Sequence, residues 1–401
     1  MTTVTLHPRR TGAADPRGGP RFTSLPPLSL YIHVPWCVRK CPYCDFNSHE
    51  ARGEIPEAEY VDALIADLDQ ALPQIWGRRV YTVFFGGGTP SLLSAQAVGT
   101  LLSAVRARVP LAVDAEITLE ANPGTLEAGK FSGFRAAGVN RISIGIQSFN
   151  AAHLKALGRI HDDAQAERAV ELAREHFDNF NLDLMYGLPG QTVAEVEADL
   201  ASALAHAPPH LSVYHLTIEP NTYFHRHPPV VPDDDAAAEM QAAVEAMLGK
   251  AGYAHYETSA YAKAGMRSRH NLNYWTFGDY LGIGAGAHSK LSFPDRILRQ
   301  ARYRQPREYM ERARMGSAVH TEQPVPGSEV VFEFMMNALR LSEGFALPLF
   351  EERTGVPLVS ALRGLDEAER RGLIERDHER VIPTELGQRF LNDLLQIFLS
   401  A

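Results

Sequence analysis

The chain contains three cysteines, and all of them lie within one stretch of eight residues, as Cys37, Cys41 and Cys44. A [4Fe-4S] cluster normally takes four cysteine thiolates, one for each iron. Three thiolates at this CxxxCxxC spacing would bind three irons and leave the fourth open to a ligand that is not protein. The triplet therefore predicts a [4Fe-4S] cluster with one open coordination position.

Zinc and disulfide bonds are the alternatives for these cysteines. A structural zinc site needs a fourth protein ligand, which His33 or His49 could supply, but zinc ligands usually form two close-spaced pairs that lie far apart in sequence. A disulfide framework would leave one of the three cysteines unpaired, and no signal peptide is recognisable that would direct the chain to an oxidising compartment. The spacing favours the cluster.

The cysteine spacing, with Tyr43 directly before the last cysteine, resembles the radical S-adenosylmethionine (SAM) superfamily. In that superfamily SAM chelates the fourth iron through its amino and carboxylate groups. The resemblance implies that this chain binds SAM, and that a reduced cluster could cleave SAM to a 5′-deoxyadenosyl radical.

The elements that would position these groups are strands that alternate with helices over residues 27–252. The expected strands are 28–34, 80–85, 115–120, 141–145, 181–186 and 211–218. Such alternation predicts an α/β fold with a parallel sheet and crossover helices. Six units fit a partial (β/α)6 barrel of the radical SAM kind, although the count also fits a doubly wound sheet.

A glycine run follows the second expected strand, as Gly86, Gly87 and Gly88 with Thr89 and Pro90. Glycine lets the backbone approach a ligand closely and offer its N–H and C=O groups. Alone the run is weak evidence, since glycines often only make turns and no phosphate-loop lysine follows. Beside the cysteine triplet, GGGTP resembles the superfamily's contact to the amino group of SAM, which implies that Gly87, Gly88 and Thr89 bind SAM.

Three polar residues, Glu120, Gln147 and Asp183, end apolar runs on successive expected strands. Each alone would more often be a cap or turn residue. Because the carboxyl ends of barrel strands meet at one mouth, we expect them to form a ring around the ribose and methionine of SAM. Arg159 resembles the family's arginine near the SAM carboxylate, a site that suits a guanidinium. The other SAM contacts that the resemblance implies are Tyr31, Tyr43 and Thr217, the last expected on the sixth strand.

Seven sequence blocks identify one branch of the superfamily, which contains oxygen-independent coproporphyrinogen III oxidases and HemW-type haem chaperones. The blocks are YIHVPWC, CDFNSH, GGGTPS, ANPGT, GIQSF, GLPGQT and LSVYHL. The oxidases carry a further cysteine two residues after the third, where this chain has Phe46. The resemblance therefore implies a chaperone that binds haem and passes it to haem-accepting proteins such as respiratory enzymes.

Two enzyme functions are the alternatives. The first is oxidative decarboxylation of two propionates of coproporphyrinogen III, started by hydrogen abstraction. The second is modification of RNA, which only the winged-helix-like tail would support. The net charge of −9 and the lack of an obvious basic block argue against a nucleic-acid partner.

The segment His270-Asn271-Leu272-Asn273-Tyr274-Trp275 resembles the HNxxYW signature of the chaperones. An imidazole can ligate haem iron axially, and aromatic neighbours can cover a porphyrin face. This makes His270 a candidate haem ligand, although a histidine in an aromatic segment is usually a hydrogen-bonded packing residue. His288, in the block GIGAGAHS, is a second candidate.

The remaining segments predict an accessory domain and a leader. Residues 253–327 are rich in Gly, His, Asn and aromatics, as expected for a segment shaped around a site. Residues 328–401 predict helices 330–341, 347–354, 358–371 and 385–398, with a hairpin over 373–383 that turns at His378 and Glu379, which together are winged-helix-like. Mixed charge makes a packing or docking role at least as fitting as nucleic-acid binding.

Residues 1–26 contain four arginines among glycine, proline and threonine, without apolar periodicity. They predict a disordered leader, since prolines and glycines disfavour the amphipathic helix of a mitochondrial presequence. No apolar stretch approaches the roughly 18 residues of a membrane span. We expect a cytoplasmic protein, and the sequence does not indicate its oligomeric state.

Overall fold

The computed structural model describes residues 19–125 and 128–400. Most of the predicted leader lies outside these residues. Within the described part, Arg21 N donates to Gly355 O at 2.7 Å and Phe22 N donates to Pro294 O at 3.0 Å. The chain is thus already tied to the rest of the molecule at residues 21–22, which differs from the disorder predicted for 1–26.

Seventeen strands are present in the described residues, and twelve of them form one large sheet. In chain order the strands are β1 Leu28–Val34, β2 Trp36–Cys37, β3 His49–Glu50, β4 Val80–Gly87, β5 Leu111–Ala121, β6 Arg141–Gln147, β7 Phe180–Tyr186, β8 His210–His215, β9 Ala254–Glu257, β10 Ala260–Ala262, β11 Asp279–Ile283, β12 His288–Phe293, β13 Arg296–Arg302, β14 Val319–Pro324, β15 Phe345–Ala346, β16 Ile374–Arg376 and β17 Arg380–Pro383. The large sheet has the order β14-β13-β12-β11-β1-β4-β5-β6-β7-β8-β10-β9.

The centre of the large sheet is parallel from β11 through β1 to β8. Its run β1-β4-β5-β6-β7-β8 follows the chain without reversal, as in a barrel and unlike a doubly wound sheet. Within the described residues the outer strands β14 and β9 do not pair with each other, so the sheet stays open. The predicted α/β fold with a partial barrel is confirmed.

The two faces of the parallel strands differ in polarity, as β6 illustrates. Ile142, Ile144 and Ile146 are buried in the main core together with residues of the covering helices. Arg141 and Ser143 alternate with them and so point to the opposite face, which we call the lumen face. Apolar packing on one side therefore fixes polar side chains on the other.

The helices of the described residues cover the sheet and build the C-terminal domain. In chain order they are α1 Glu57–Ala71, α2 Ala95–Arg108, α3 Ala128–Ala137, α4 Ala151–Ala156, α5 Asp163–His176, α6 Val193–Ala205, α7 Tyr223–Arg226, α8 Asp234–Lys250, α9 Arg269–Trp275, α10 Pro306–Arg314, α11 Gly327–Ala338, α12 Leu347–Thr354, α13 Val359–Arg370, α14 Glu385–Arg389 and α15 Leu391–Gln396. Short 3₁₀ helices span Leu72–Gln74, Pro90–Leu92, Pro123–Thr125 and Ile397–Ser400. No helix of the described residues is long and apolar enough to span a membrane.

Residues 253–327 extend the large sheet at both edges. β9 and β10 add to β8, and β11 pairs with β1 and begins an antiparallel run to β14. The pairings of β1 with β11 and of β8 with β10 join strands far apart in sequence, whereas the others join consecutive strands. The boundaries at 252 and 327 stay predictions.

The C-terminal residues form a separate apolar core around Phe334, Phe345 and Phe350. Their order is helix, strand, two helices, two strands and a final helix, with β15-β17-β16 as a small sheet. This winged-helix-like arrangement confirms the predicted fold class. The last helix is broken at Phe390, where φ is −109° and ψ is 43°, rather than continuous over 385–398.

Candidate functional site

The three cysteines lie on one loop at the end of the parallel strands. Cys37 ends β2, which pairs with β3 on the far side of the loop. Cys41 and Cys44 lie between these strands, and Cys44 N donates to Cys41 O at 3.2 Å. All three thiols are free and half-buried, so the loop presents three unpaired sulfur donors together.

This donor set fits an iron–sulfur cluster better than zinc. Both ring nitrogens of His33 are engaged, Nε2 with Asn47 O at 2.9 Å and Nδ1 with the Tyr31 hydroxyl at 3.1 Å, whereas Nε2 of His49 has no hydrogen-bond partner in the described residues. Among the described residues, no three His, Cys, Asp or Glu side chains are placed to hold a single metal ion. A cluster distributes its irons among separate thiolates and does not require the sulfurs to converge on one ion.

Burial and hydrogen bonding shift the pKa values of the cysteine thiols in opposite directions. Burial raises the pKa of Cys37 and Cys44, and hydrogen bonds from Thr89 and Ser48 partly offset that effect. Arg159 Nη1 lies 3.7 Å from Cys41 Sγ. Hydrogen-bond donors and a cation are thus already in place to stabilise thiolates.

The glycine run, which forms the last two residues of β4 and continues to Gly88, packs directly on the strand that leads to Cys37. Gly88 N donates to Val34 O at 2.7 Å and Thr89 N donates to Trp36 O at 2.8 Å. Gly87 has φ 112°, and a Cβ there would collide with the ring of His33. Glycine is required at this position by both conformation and space.

Glu120 and Asp183 face each other across the lumen face. Glu120 Oε2 accepts from Gly87 N at 3.3 Å. Burial, together with the negative charge of Asp183, raises the pKa of Glu120 to about 8. Ser143 and Asn181 donate to the Asp183 carboxylate at 3.2 and 2.8 Å. Asp183 lies in the middle of β7 rather than at its end, so the predicted strand-end position was wrong.

Gln147 and Arg159 meet above Gly145. Arg159 Nη2 donates to Gly145 O at 2.6 Å, and the side chains of both residues lie close to the α-carbon of Gly145. Gln147 has φ 72°, a left-handed conformation that is strained for a residue with a side chain. Tyr43 lies beside Arg159, whose charge opposes the rise that burial causes in the pKa of Tyr43.

Most of the predicted SAM residues are therefore brought together at one mouth, and Thr217 is the exception. β8 ends at His215, so Thr217 follows the strand rather than lying on it. Its side chain is exposed and donates to His215 O at 3.4 Å. Tyr31, in contrast, contacts the mouth, since its ring lies next to Gly86 together with the Glu120 carboxylate.

Comparison with known proteins defines the family. Residues 31–203 match the model of the radical SAM superfamily, and residues 325–390 match the HemN C-terminal domain. The haem chaperone HemW of Escherichia coli is 53% identical over 381 residues, which cover 94% of this chain and all of that protein. This chain belongs to the HemW family.

The HemW family match extends to distant organisms and to a solved structure. Bacillus subtilis HemW is 35% identical, covering 93% of this chain and 99% of that protein, and the bovine mitochondrial radical SAM domain-containing protein 1 is 34% identical over 98% and 92%. The structure of E. coli coproporphyrinogen III oxidase HemN superposes with a TM-score of 0.79 over 93% of this chain and 90% of that one. At 23% identity this likeness shows the fold.

The HemW-type segment HNLNYW forms α9, which packs on the lumen face. The His270 side chain is 1% exposed, stacks on Phe84 at 4.8 Å and bonds through Nδ1 to the Thr82 hydroxyl at 2.7 Å. Its Nε2 has no hydrogen-bond partner in the described residues. Glu116, on β5, accepts from the backbone N–H groups of Arg269 and His270 at 3.1 and 3.0 Å.

His288 belongs to a block that contacts the cysteine loop. It is exposed at the start of β12, in the block GIGAGAHS. Gly286 of that block has φ 78° and touches Asn47 of the cysteine loop, whose Nδ2 donates to Ala285 O at 2.9 Å. The glycines therefore allow a close approach to the cysteine loop.

Sequence reasoning missed Ser143 and Asn181, which hold the Asp183 carboxylate. A signal was present, because each lies two residues from another polar residue within an otherwise apolar strand. A spacing of two places both side chains on one face. Counting polar residues at alternate positions would have revealed this group.

Proposed function

We propose that this chain is a haem chaperone that binds haem, a [4Fe-4S] cluster and SAM, and delivers haem to haem-requiring proteins such as respiratory enzymes. The observation that carries the proposal is the 53% identity to a named haem chaperone over nearly the whole of both chains. We also propose that the chain is located in the cytoplasm and delivers haem to particular acceptors there.

Cys37, Cys41 and Cys44 would hold the cluster, which when bound would supply an open iron for the amino and carboxylate groups of SAM. Gly87, Gly88 and Thr89 pack beside the strand that leads to Cys37, with their N–H groups donated to the Glu120 carboxylate, Val34 O and Trp36 O. Glu120 and Asp183 offer carboxylates for hydroxyl and amine groups, and Arg159 and Gln147 lie on the side of Cys41. The strained backbone at Gln147 supports a role in binding.

The second candidate function, coproporphyrinogen oxidation, is supported by the HemN fold alone. Phe46 is 53% exposed on the cysteine loop, at the position where the oxidases carry a further cysteine. Phenylalanine cannot supply the thiol of that position. Phe46 therefore favours the chaperone function.

One experiment compares the two functions directly. The cluster is reconstituted anaerobically in the full chain, and haem binding is followed by the Soret band while coproporphyrinogen is supplied with SAM and an electron donor. We expect haem binding and no protoporphyrinogen. Protoporphyrinogen above the level of a cluster-free control would replace the chaperone function by the oxidase, and a chain that binds no haem would contradict the proposal.

A further inference from the structure

A cavity of about 480 Å³ lies beside the cysteine loop, outside the ring of Glu120 and Asp183. It is formed where the cysteine loop meets the turn between α4 and α5, and we call it the Arg39 cavity. The residues that matter for its chemistry are Arg39, Lys155, Arg159, Ile160, His161 and Asp162. Its volume lies in the range of small-molecule sites.

The charge of this cavity is opposite to that of the chain. Three cations, Arg39, Lys155 and Arg159, line it with a single carboxylate, in a chain of net charge −9. Arg39 and Lys155 are exposed, and neither forms an ion pair with another described residue. The Asp162 carboxylate caps α5 by accepting from Gln165 N at 2.8 Å. The cations are therefore available to an anionic ligand.

A buried polar atom also lacks a partner in this wall. His161 is 4% exposed, and its Nε2 lies 3.1 Å from Ile146 O, which can only accept, so Nε2 carries the proton. Nδ1 of His161 then accepts a hydrogen bond from no described residue, and Nε of Arg159 donates to none. Buried polar groups normally have partners, so this wall is suited to an occupant.

The cavity also presents apolar surface. Ile160 is 37% exposed in its wall, and Val38, which precedes Arg39 but does not line the cavity, is 46% exposed nearby. A ligand that combines a flat apolar body with two carboxylates matches this combination of exposed aliphatic side chains and two free cations. Haem has that chemistry, with its two propionates at one edge of the macrocycle.

We propose that the Arg39 cavity binds haem, with Arg39 and Lys155 contacting the propionate carboxylates and Ile160 contacting the macrocycle. The inference rests on the proposed chaperone function and names its haem site. Because Arg159 lines the cavity and its Nη1 lies 3.7 Å from Cys41 Sγ, haem bound there is a direct neighbour of the cysteine loop.

Haem titrations of the reconstituted full chain test the site, with haem and haem dimethyl ester as probes. An ion pair near the surface contributes up to about 1 kcal/mol, so Arg39→Gln and Lys155→Gln should each weaken haem binding about two- to fivefold, and the double variant roughly five- to twentyfold. The ester lacks both negative charges, so parent and variants should bind it equally. Lys250→Gln, an exposed lysine at the end of α8, is the matched control and should bind haem as the parent does.

Two results would overturn the site: a double variant that binds haem as tightly as the parent, or a parent that binds the ester as tightly as haem. A parent that binds neither probe would overturn the proposed function as well, so the two failures are distinct. Iron content is measured for each variant. Arg39 lies on the cysteine loop, so Arg39→Gln could take up less iron. Lys155 lies outside that loop, so Lys155→Gln still tests the haem site in that case.

Discussion

Two glutamates on strand β5 are surrounded very differently, although both point to the lumen face. Glu116 accepts two backbone N–H groups from the first residues of α9 and is 6% exposed. Glu120, four residues nearer the mouth, accepts one N–H at 3.3 Å, faces Asp183 and has a pKa of about 8. At the base of the lumen face, below α9, the Glu116 carboxylate is satisfied by backbone donors, whereas at the mouth the Glu120 carboxylate keeps acceptor capacity for a ligand.

The same contrast holds for the two sequence signatures. The cysteine triplet lies at the mouth, with three free and half-buried thiols. The HNLNYW segment lies at the base, where His270 is stacked and hydrogen-bonded. Residue type alone therefore does not predict whether a side chain lies accessible at the mouth or packed at the base.

The largest effect is expected at the mouth, from Cys41→Ala. Loss of one thiolate leaves two irons of a [4Fe-4S] cluster without a protein ligand, so the cluster should be lost entirely. Iron and sulfide content and the brown chromophore after reconstitution measure this. A Cys41→Ala variant with full iron and sulfide content would contradict a cluster at the cysteine loop.

The next largest effect is expected from the double variant Glu120→Ala, Asp183→Ala. A hydrogen bond to a charged group contributes roughly 1.5–3 kcal/mol, so SAM affinity should fall about tenfold or more per carboxylate. Equilibrium binding of SAM to the cluster-loaded chain measures it. Glu116→Gln is the matched control on the same strand and should retain SAM affinity. Equal losses of SAM affinity in both variants would contradict a difference between the mouth and the base.

A smaller and different effect is expected at the base, from His270→Ala. The variant loses the bond to Thr82 and leaves a cavity beside Phe84, so the free energy of unfolding should fall by about 2–4 kcal/mol. SAM binding and the Soret band of bound haem should stay unchanged. His288→Ala, on an exposed residue, is the control for stability.

A changed Soret band in His270→Ala, with the fold intact, would instead make His270 the axial ligand first suggested by the HNLNYW segment. It would also contradict haem binding in the Arg39 cavity. The unpartnered Nε2 is the atom that would then bind the iron.

The smallest effect concerns the pH dependence of stability without SAM. The folded pKa of Glu120, about 8, lies above its ordinary value of 4.5. Between these values the folded chain keeps a proton that the unfolded chain has released, so this group makes stability fall as pH rises from about 5 to 8. The free energy of unfolding, measured with denaturant at pH 5.5 and 8.5, should decrease less between these pH values in Glu120→Gln than in the parent. An equal decrease in parent and variant would contradict the raised pKa.

The sequence determined the parts of the site whose chemistry is local. The three cysteines lie on one short loop, the glycine run begins at the end of β4, and six of the seven parallel strands could be located because each is a short apolar run between helical segments. Glu120 and Gln147 were found at strand ends for the same reason. Spacing of a few residues was enough in each case.

Only the tertiary structure decided which polar residues lie together at the mouth. The packing of α9 on the lumen face buries His270, and the actual strand ends place Asp183 inside β7 and Thr217 beyond β8. The Arg39 cavity exists because the cysteine loop and the turn after α4, more than a hundred residues apart, pack together. Such contacts depend on how distant elements pack, and local periodicity carries no information about them.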